Sequence, residues 1–332
     1  MKILAVGGSG FIGSHVIRKL LSEGHTVTNI DNMSKYGFIE HDFYTNPRFK
    51  LIVKDIREVY PSYFSGYDVV LFFAALIGGI NYFHKYPYQI ARDNTEMMVK
   101  AIDNTLAASP GAVFYYFSSS MVYERAKKPV SEKDALNQLV PITNYGMQKL
   151  FGEFIVRGAN QEYGLNYVIV RPFNAVGSGE LPKLDSKGEL EFGMAHVIPD
   201  FVYKSIKKQD PFEILGDGTQ VRTFTHVNDI ADAISAMIKL KVKNQDFNIC
   251  GGRINTVTVL DLAKKIWKRV NPKLDFPRIK KLSAPKDDVK FRVGVSNKAK
   301  SILNWSPKYD IDEIIDDSFN FIKDNIDSIK RS

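Results

Sequence analysis

Apolar residues in the first half of the chain come in short runs, separated by stretches in which they recur at helical spacing. Ile3-Leu4-Ala5-Val6 is one run and Thr26 to Ile30 a second, followed by Phe49 to Val53, Asp68 to Phe73, Ala112 to Phe117 and Asn166 to Val170. All of these read as strands, and the continuous run from Asp68 to Phe73 suits a strand covered on both faces. Between them, about Phe11 to Leu21 places Ile12, Val16, Leu20 and Leu21 on one side of a helix. Tyr88 to Leu106 carries a similar stripe (Met97, Met98, Ala101, Ile102), suited to a core or a dimer interface, and a third helix is expected from Tyr145 to Tyr163. Alternating strands and helices predict an α/β protein with a parallel, doubly wound sheet.

The composition changes after Pro172. Residues 177–193 read as loop, followed by a helix from Val197 to Lys207, a strand from Phe212 to Leu215 and a turn at Gly216-Asp217-Gly218-Thr219. Further expectations are a strand at Arg222 to Thr225, a helix at Val227 to Leu240 capped by Asn228, and a helix at Thr258 to Val270. A strand near Arg278, a short helix at Ser296 to Leu303 and a final helix at Ile311 to Ile329 close the chain. No linker, repeat or low-complexity tract separates the halves. The expected division is a Rossmann-type cofactor domain, residues 1–172 with part of 222–250, and a smaller α/β substrate lobe, 173–221 and 251–332.

Gly7-Gly8-Ser9-Gly10-Phe11-Ile12-Gly13 joins the first run to the first helix. In a strand–turn–helix setting, glycines permit the tight reversal, the approach of backbone to a pyrophosphate and close helix–strand packing, while the helix N-terminus faces the phosphates. Asp31 ends the second run, at the distance of about 20 residues where an acid bonds the adenosine ribose. It would repel a 2′-phosphate, which favours NAD over NADP. Asp55-Ile56, past the third run, can receive an adenine ring or close a surface turn. Ala74-Ala75 lets backbone lie near a ligand, and Gly78-Gly79 opens an expected mobile loop bearing Tyr82, His84, Lys85 and Tyr86. The glycine turn, Asp31, Asp55, Ala74-Ala75 and Ser118-Ser119-Ser120 all fall at strand ends, which implies one shared crevice.

Composition narrows the class. The chain has 332 residues, 44% hydrophobic and 25% charged, enough for a large core. No apolar run approaches the roughly 20 residues that span a bilayer. Met1-Lys2 enters a strand directly, so no signal peptide and a cytoplasmic location are expected. One cysteine, Cys250, excludes a disulfide framework, and six dispersed histidines without ligand spacing predict no metal site. The net charge of +8 comes from scattered lysines, which reads as a solvated basic surface suited to anionic small ligands and not as a nucleic-acid interface.

Tyr145 and Lys149 stand four apart on one helix face. The spacing is compatible with a surface pair. Alternatively, a lysine cation and a nicotinamide ring would lower the phenol from its ordinary value near 10 and make it a base. A serine from the Ser118–Ser120 strand end would hold the substrate alcohol in line.

These residues, in this order, resemble the extended short-chain dehydrogenase/reductase family, in particular its NAD-dependent nucleotide-sugar epimerases and dehydratases. Gly7, Gly10 and Gly13 match its glycine turn, Asp31-Asn32 its ribose clamp and Asp55-Ile56 its adenine clamp. Phe117 to Tyr123 resembles the strand carrying the catalytic Ser/Thr, which assigns that role to Ser119, beside Tyr145 and Lys149. The resemblance implies NAD contacts from Gly7, Gly10, Phe11, Ile12, Asp31, Asn32, Asp55, Ile56, Ala74, Ala75, Asn94, Tyr145 and Lys149. For a nucleotide-diphosphate sugar it implies Gly78, Ser120, Asn174, Val197, Arg222 and, as a second phosphate arginine, Arg292. Sugar 4,6-dehydratases carry an Asp-Glu pair where this chain has Ser120 and Met121, and GDP-mannose 3,5-epimerases carry a cysteine at Met121. With neither present, 4-epimerisation of a UDP-hexose through a 4-keto sugar is the simplest implied activity. The alternatives are 3,5- or 2-epimerisation, an atypical dehydration, keto reduction, or a regulatory NAD-binding protein without turnover. Similarity of the helices at 88–106 and 145–163 to those pairing in dimeric relatives implies a homodimer.

Overall fold

The computed structural model describes residues 1–35, 37–136, 140–284 and 288–329. Positions 285–287 and 330–332 of the expected lobe lie outside the described residues. The first half runs β1 (Lys2–Val6), α1 (Phe11–Ser22), β2 (Thr26–Asp31), β3 (Phe49–Val53), β4 (Val69–Phe72), α2 (Ile80–Lys85), α3 (Pro87–Ala108), β5 (Val113–Phe117), α4 (Asn144–Tyr163) and β6 (Asn166–Pro172). The second runs β7 (Ala175–Val176), α5 (Val197–Ile206), β8 (Phe212–Leu215), β9 (Val221–Thr223), β10 (Thr225–His226), α6 (Val227–Lys239) and β11 (Gln245–Ile249). It ends with β12 (Thr256–Thr258), α7 (Val259–Val270), β13 (Ile279–Leu282), β14 (Phe291–Arg292), α8 (Asn297–Leu303) and α9 (Ile311–Ile329).

Seven parallel strands form the main sheet in the order β11-β6-β5-β4-β1-β2-β3. Along β1, Ile3 and Ala5 pack with Val16, Ile17, Leu20 and Ile234 of α1 and α6, while Leu4 and Val6 pack with Met97, Met98 and Ala101 of α3. Both faces are therefore covered, which is why β1 and β4 are continuous apolar runs and not alternating ones. Each large aliphatic side chain buried in this way contributes about 1.5–3 kcal/mol. The chain order reverses between β1 and β4, and a ligand crevice opens at such a switch point beyond the strand ends.

The expected α/β doubly wound sheet is present, with three local differences. The segment expected as a mobile loop after Gly78 contains helix α2, tied down where Gly79 N donates to Met194 O at 2.8 Å and Asn81 N to Gly193 O at 3.0 Å. A Cβ at Gly79 would lie 2.1 Å from Ala195 O, so only glycine permits this approach. Helix α6 is capped by His226, whose ring accepts from Asn228 N, while the Asn228 side chain meets His15 Nδ1 at 2.8 Å. Finally, Ala299, Leu303 and Trp305 pack into the sheet core beside α1 and α6, so part of the segment expected in the second lobe joins the core of the main sheet. The lobe has its own core, including Phe201, Phe212, Ile266, Trp267 and Ile314. Cys250 is buried beside Ser296, and burial pushes its thiol up.

Candidate active site

A cleft of about 560 Å³ runs along the carboxyl ends of the sheet strands and into the second lobe. On the sheet side it is lined by Gly7, Gly10, Phe11, Ile12, Asp31, Asn32, Ile56, Ala74 and Ala75. Further along stand Gly78, Ser119, Ser120, Tyr145 and Lys149, and then Asn174, Val197, Arg222 and Arg292. Residues nearly 300 positions apart in sequence thus share one wall.

Two expected contact residues stand elsewhere. The Asp55 carboxylate closes its own turn, accepting from Arg57 N and Nε at 2.9 Å, Arg57 Nη2 at 2.7 Å and Asn32 Nδ2 at 3.1 Å. The Arg57 guanidinium holds it down to about 2, and the cleft wall here is Ile56 and Arg57. Buried Asn94 grips the backbone behind the cleft: its Oδ1 accepts from Leu76 N at 2.6 Å and its Nδ2 donates to Leu76 O at 3.2 Å. It positions the β4–α2 segment instead of facing the cleft.

Tyr145 sits in the first turn of α4, which is capped by Thr143 Oγ1 accepting from Gly146 N at 3.0 Å. Its ring stacks on Phe83 of α2, with centroids 4.4 Å apart and planes 5° from parallel. Of the three serines, Ser118 donates to Glu153 at 2.6 Å, whereas Ser119 hydrogen-bonds the Tyr145 phenol and accepts from Met121 N at 3.2 Å. Lys149, one helical turn on, donates to Phe117 O at 2.8 Å, with its nitrogen 5.8 Å from the centre of the Tyr145 ring. Burial pushes Lys149 down to about 7 against the opposing charge of Glu153, and burial pushes Tyr145 up. The groups acting against burial at Tyr145 are the Ser119 hydrogen bond and the charge of Arg292.

Beneath the site lies a buried polar network. Arg171 Nε and Nη2 meet Glu153 at 2.7 and 2.5 Å, and Arg171 Nη1 donates to Tyr123 Oη at 3.1 Å, which in turn donates to Asn248 at 2.8 Å. The same Glu153 receives Ser118, so the network fixes the strand end from which Ser119 projects.

The second lobe contributes Asn174, with a left-handed φ of 38°, whose Nδ2 donates to Thr223 O at 2.7 Å. Arg222 donates to Val221 O at 3.0 Å and to Val289 O, and lies 3.8 Å from Asp288. Sequence reasoning missed Phe83, Asp288 and Glu180, which contacts His196 at the cleft wall. Phe83 belongs to the stretch read as a loop, and the two acids lie in stretches without periodicity, so nothing local marks them. Three further groups able to carry a proton, His84, Lys85 and Lys187, are exposed and none of them lines the cleft.

The sequence model described as the NAD dependent epimerase/dehydratase family matches residues 3–250. The chain belongs to this family. It is 30% identical to a putative UDP-glucose 4-epimerase of Methanocaldococcus jannaschii, over 97% of this chain and 99% of that relative. It is also 30% identical to a UDP-glucose 4-epimerase of Lacticaseibacillus casei, over 97% and 96%. Among solved structures, the UDP-glucose 4-epimerase of Thermotoga maritima, determined with UDP-glucose, superimposes with a TM-score of 0.82 at 27% identity, covering 98% of this chain and 100% of that one.

NAD is the cofactor of this family, and the β1–α1 turn fits it. Gly7 has φ +79°, and a Cβ there would lie 2.6 Å from the Ala74 backbone. The α1 cap, Gly10, brings no side chain to the free N–H groups of the first turn, which leaves them for phosphate oxygens. Asp31 Oδ2 accepts from Ser9 N and Oδ1 from Met33 N, both at 2.9 Å, so each oxygen retains acceptor capacity for a ribose hydroxyl. Among the described residues no group of three or more His, Cys, Asp or Glu could hold a metal ion, and no helix is long and apolar enough to cross a membrane.

Proposed function

We propose that this protein is an NAD-dependent nucleotide-sugar 4-epimerase, acting on a uridine-diphosphate-linked six-carbon sugar through a transient 4-keto sugar. The observation that carries the reading is the Ser119–Tyr145 pair inside the cofactor cleft, with Met121 beside it and His84, Lys85 and Lys187 outside. Inversion at C3 or C5, or elimination of water, calls for a second proton-transfer group at the sugar, and a thioether cannot serve. The uridine carrier is favoured by the relatives named UDP-glucose 4-epimerases.

Ser119 Oγ holds the C4 hydroxyl and Tyr145 takes its proton, returning it after the keto sugar has turned over. NAD, when bound, would supply reversible hydride acceptance at C4. Arg292 and the Ser119 hydrogen bond favour the phenolate against burial. One Lys149 N–H is anchored on Phe117 O, and the ammonium's other donors are available to the nicotinamide ribose. Arg222 is assigned to the diphosphate, and residues 173–221 and 251–332 to holding the sugar nucleotide.

The test is incubation of the protein and NAD with UDP-, GDP-, CDP- and dTDP-sugars, with products read by NMR. The expected product is the C4 epimer of a UDP-sugar, with Tyr145→Phe lowering kcat by at least about a hundredfold while retaining NAD. Full conversion by Tyr145→Phe would remove the assignment, and NAD binding without conversion of any sugar would favour a regulator.

A further inference from the structure

Strands β9 and β14 pair in parallel, with Arg292 opposite Arg222, and both side chains line the cleft. From these neighbouring Cα positions the two guanidinium groups fork apart. Arg222 turns to the carbonyls of Val221 and Val289 and to Asp288. Arg292 turns to the reacting end, where Nη1 contacts Met121 Sδ and Nη2 donates to Asn174 Oδ1. Its Nε is shut from solvent and has no acceptor.

The charge of Arg292 is poorly answered by protein. Among the described residues no carboxylate stands within ion-pair distance of it, its bonded partners being a thioether and an amide. Glu124 is the foremost opposing charge acting on it, yet the Glu124 oxygens take Ile142 N, Thr143 N and Thr143 Oγ1. A half-buried guanidinium given only neutral acceptors, with its Nε unpartnered, is an unfavourable arrangement unless a ligand supplies an anion. Its planar fork matches a carboxylate in two-point contact.

We infer that Arg292 anchors a carboxylate on the sugar, so that the site takes a nucleotide-linked uronic acid in preference to the neutral hexose. The inference rests on the nucleotide-sugar reading above. With the C4 hydroxyl at Tyr145, the uronic carboxylate is the substituent on the neighbouring ring carbon, C5, and Arg292 is the cation whose charge reaches that phenol. Arg222, held beside Asp288, remains for the diphosphate.

Calorimetric titration with UDP, GDP, CDP and dTDP picks the carrier, and its glucose and glucuronate conjugates are then compared. The wild-type protein is expected to bind the glucuronate conjugate at least about 30-fold more tightly than the glucose conjugate. Arg292→Gln should abolish that preference while binding the bare nucleoside diphosphate within about threefold of wild type, and Arg292→Lys should restore part of it. Retained affinity for NAD reports that each variant is folded. Preference for the neutral sugar, or equal losses for glucuronate conjugate and bare diphosphate in Arg292→Gln, would overturn the inference, the latter by making Arg292 a phosphate ligand. Tight glucuronate binding without C4 inversion would instead defeat the 4-epimerase reading and leave the anchor standing. No binding of any of the four nucleotides would remove both.

Discussion

The Lys149 ammonium is bonded to the Phe117 carbonyl, 2.8 Å away, and not to the Tyr145 phenol whose ring it passes at 5.8 Å. The lysine thus ties α4 to the end of β5, the strand that leads into Ser119. Its effect on the phenol is through position, while Ser119 and Arg292 supply the interactions that favour ionisation.

This geometry has a consequence for stability. Lys149 falls from an ordinary 10.5 to about 7 through burial. Between about 7 and 10.5 the unfolded chain holds a proton that the folded chain has released, so stability rises with pH across this window, by at most about 1.4 kcal/mol per unit. Below about 7 both forms are protonated and the contribution is flat at its minimum. In urea denaturation without added NAD, wild type should therefore gain stability relative to Lys149→Met from pH 7 to 9.5. Parallel pH profiles for the two proteins would contradict the assignment.

The Glu153–Arg171 pair is buried on both sides, and Glu153 also receives Ser118. Removing the carboxylate leaves Arg171 with Asp246, 2.8 Å away, as its remaining counter-charge. Glu153→Gln should destabilise the protein by about 3–5 kcal/mol in denaturant titration. A loss below about 1 kcal/mol would show that Asp246 alone suffices.

Asp31 and Asp55 looked equivalent in sequence, each an acid just past a strand, but the fold separates them. Asp31→Ala should weaken NAD binding by about 10- to 100-fold, the range for hydrogen bonds to a charged group. Asp55→Ala, which loses its own turn and the bond from Asn32, should change it by less than Asp31→Ala does. Fluorescence titration with NAD measures both, and the reverse order would refute the ribose clamp.

Much of the sheet was legible because strands covered on both faces need continuous apolar runs, and β1, β4, β5 and the middle of β6 have them. The glycine turn and the Tyr145–Lys149 pair were legible because each is local, spanning one turn of chain or helix. What stayed hidden depends on contacts between distant segments. Phe83 acquires its role only when α2, pinned by Gly79 against residues 193–195, brings it onto Tyr145. The direction of Arg292 follows from β14, two residues long, pairing with β9 and from Asn174 receiving its fork. Asn94 sits on the stripe of α3, and nothing along the chain tells a residue that grips Leu76 from one that touches a ligand.

Homodimer formation through α3 and α4 is proposed from the apolar side chains they leave exposed, among them Val99, Met147, Phe151 and Phe154, the last two more than half exposed. Light scattering should give twice the 37.6 kDa chain mass. Phe151→Asp with Phe154→Asp should give the single-chain mass with the cofactor still bound. A monomeric wild type at working concentration would reject the proposal.

The proposed reaction oxidises C4 transiently and returns the same hydrogen to it. Turnover of UDP-glucose and UDP-glucuronate by the NAD-loaded protein in deuterated water, followed by NMR, tests it most directly. The expected result is a C4-inverted sugar with no deuterium on any ring carbon, because the C4 hydrogen never exchanges with solvent. Deuterium at C3 or C5, or inversion at a carbon other than C4, would contradict the account.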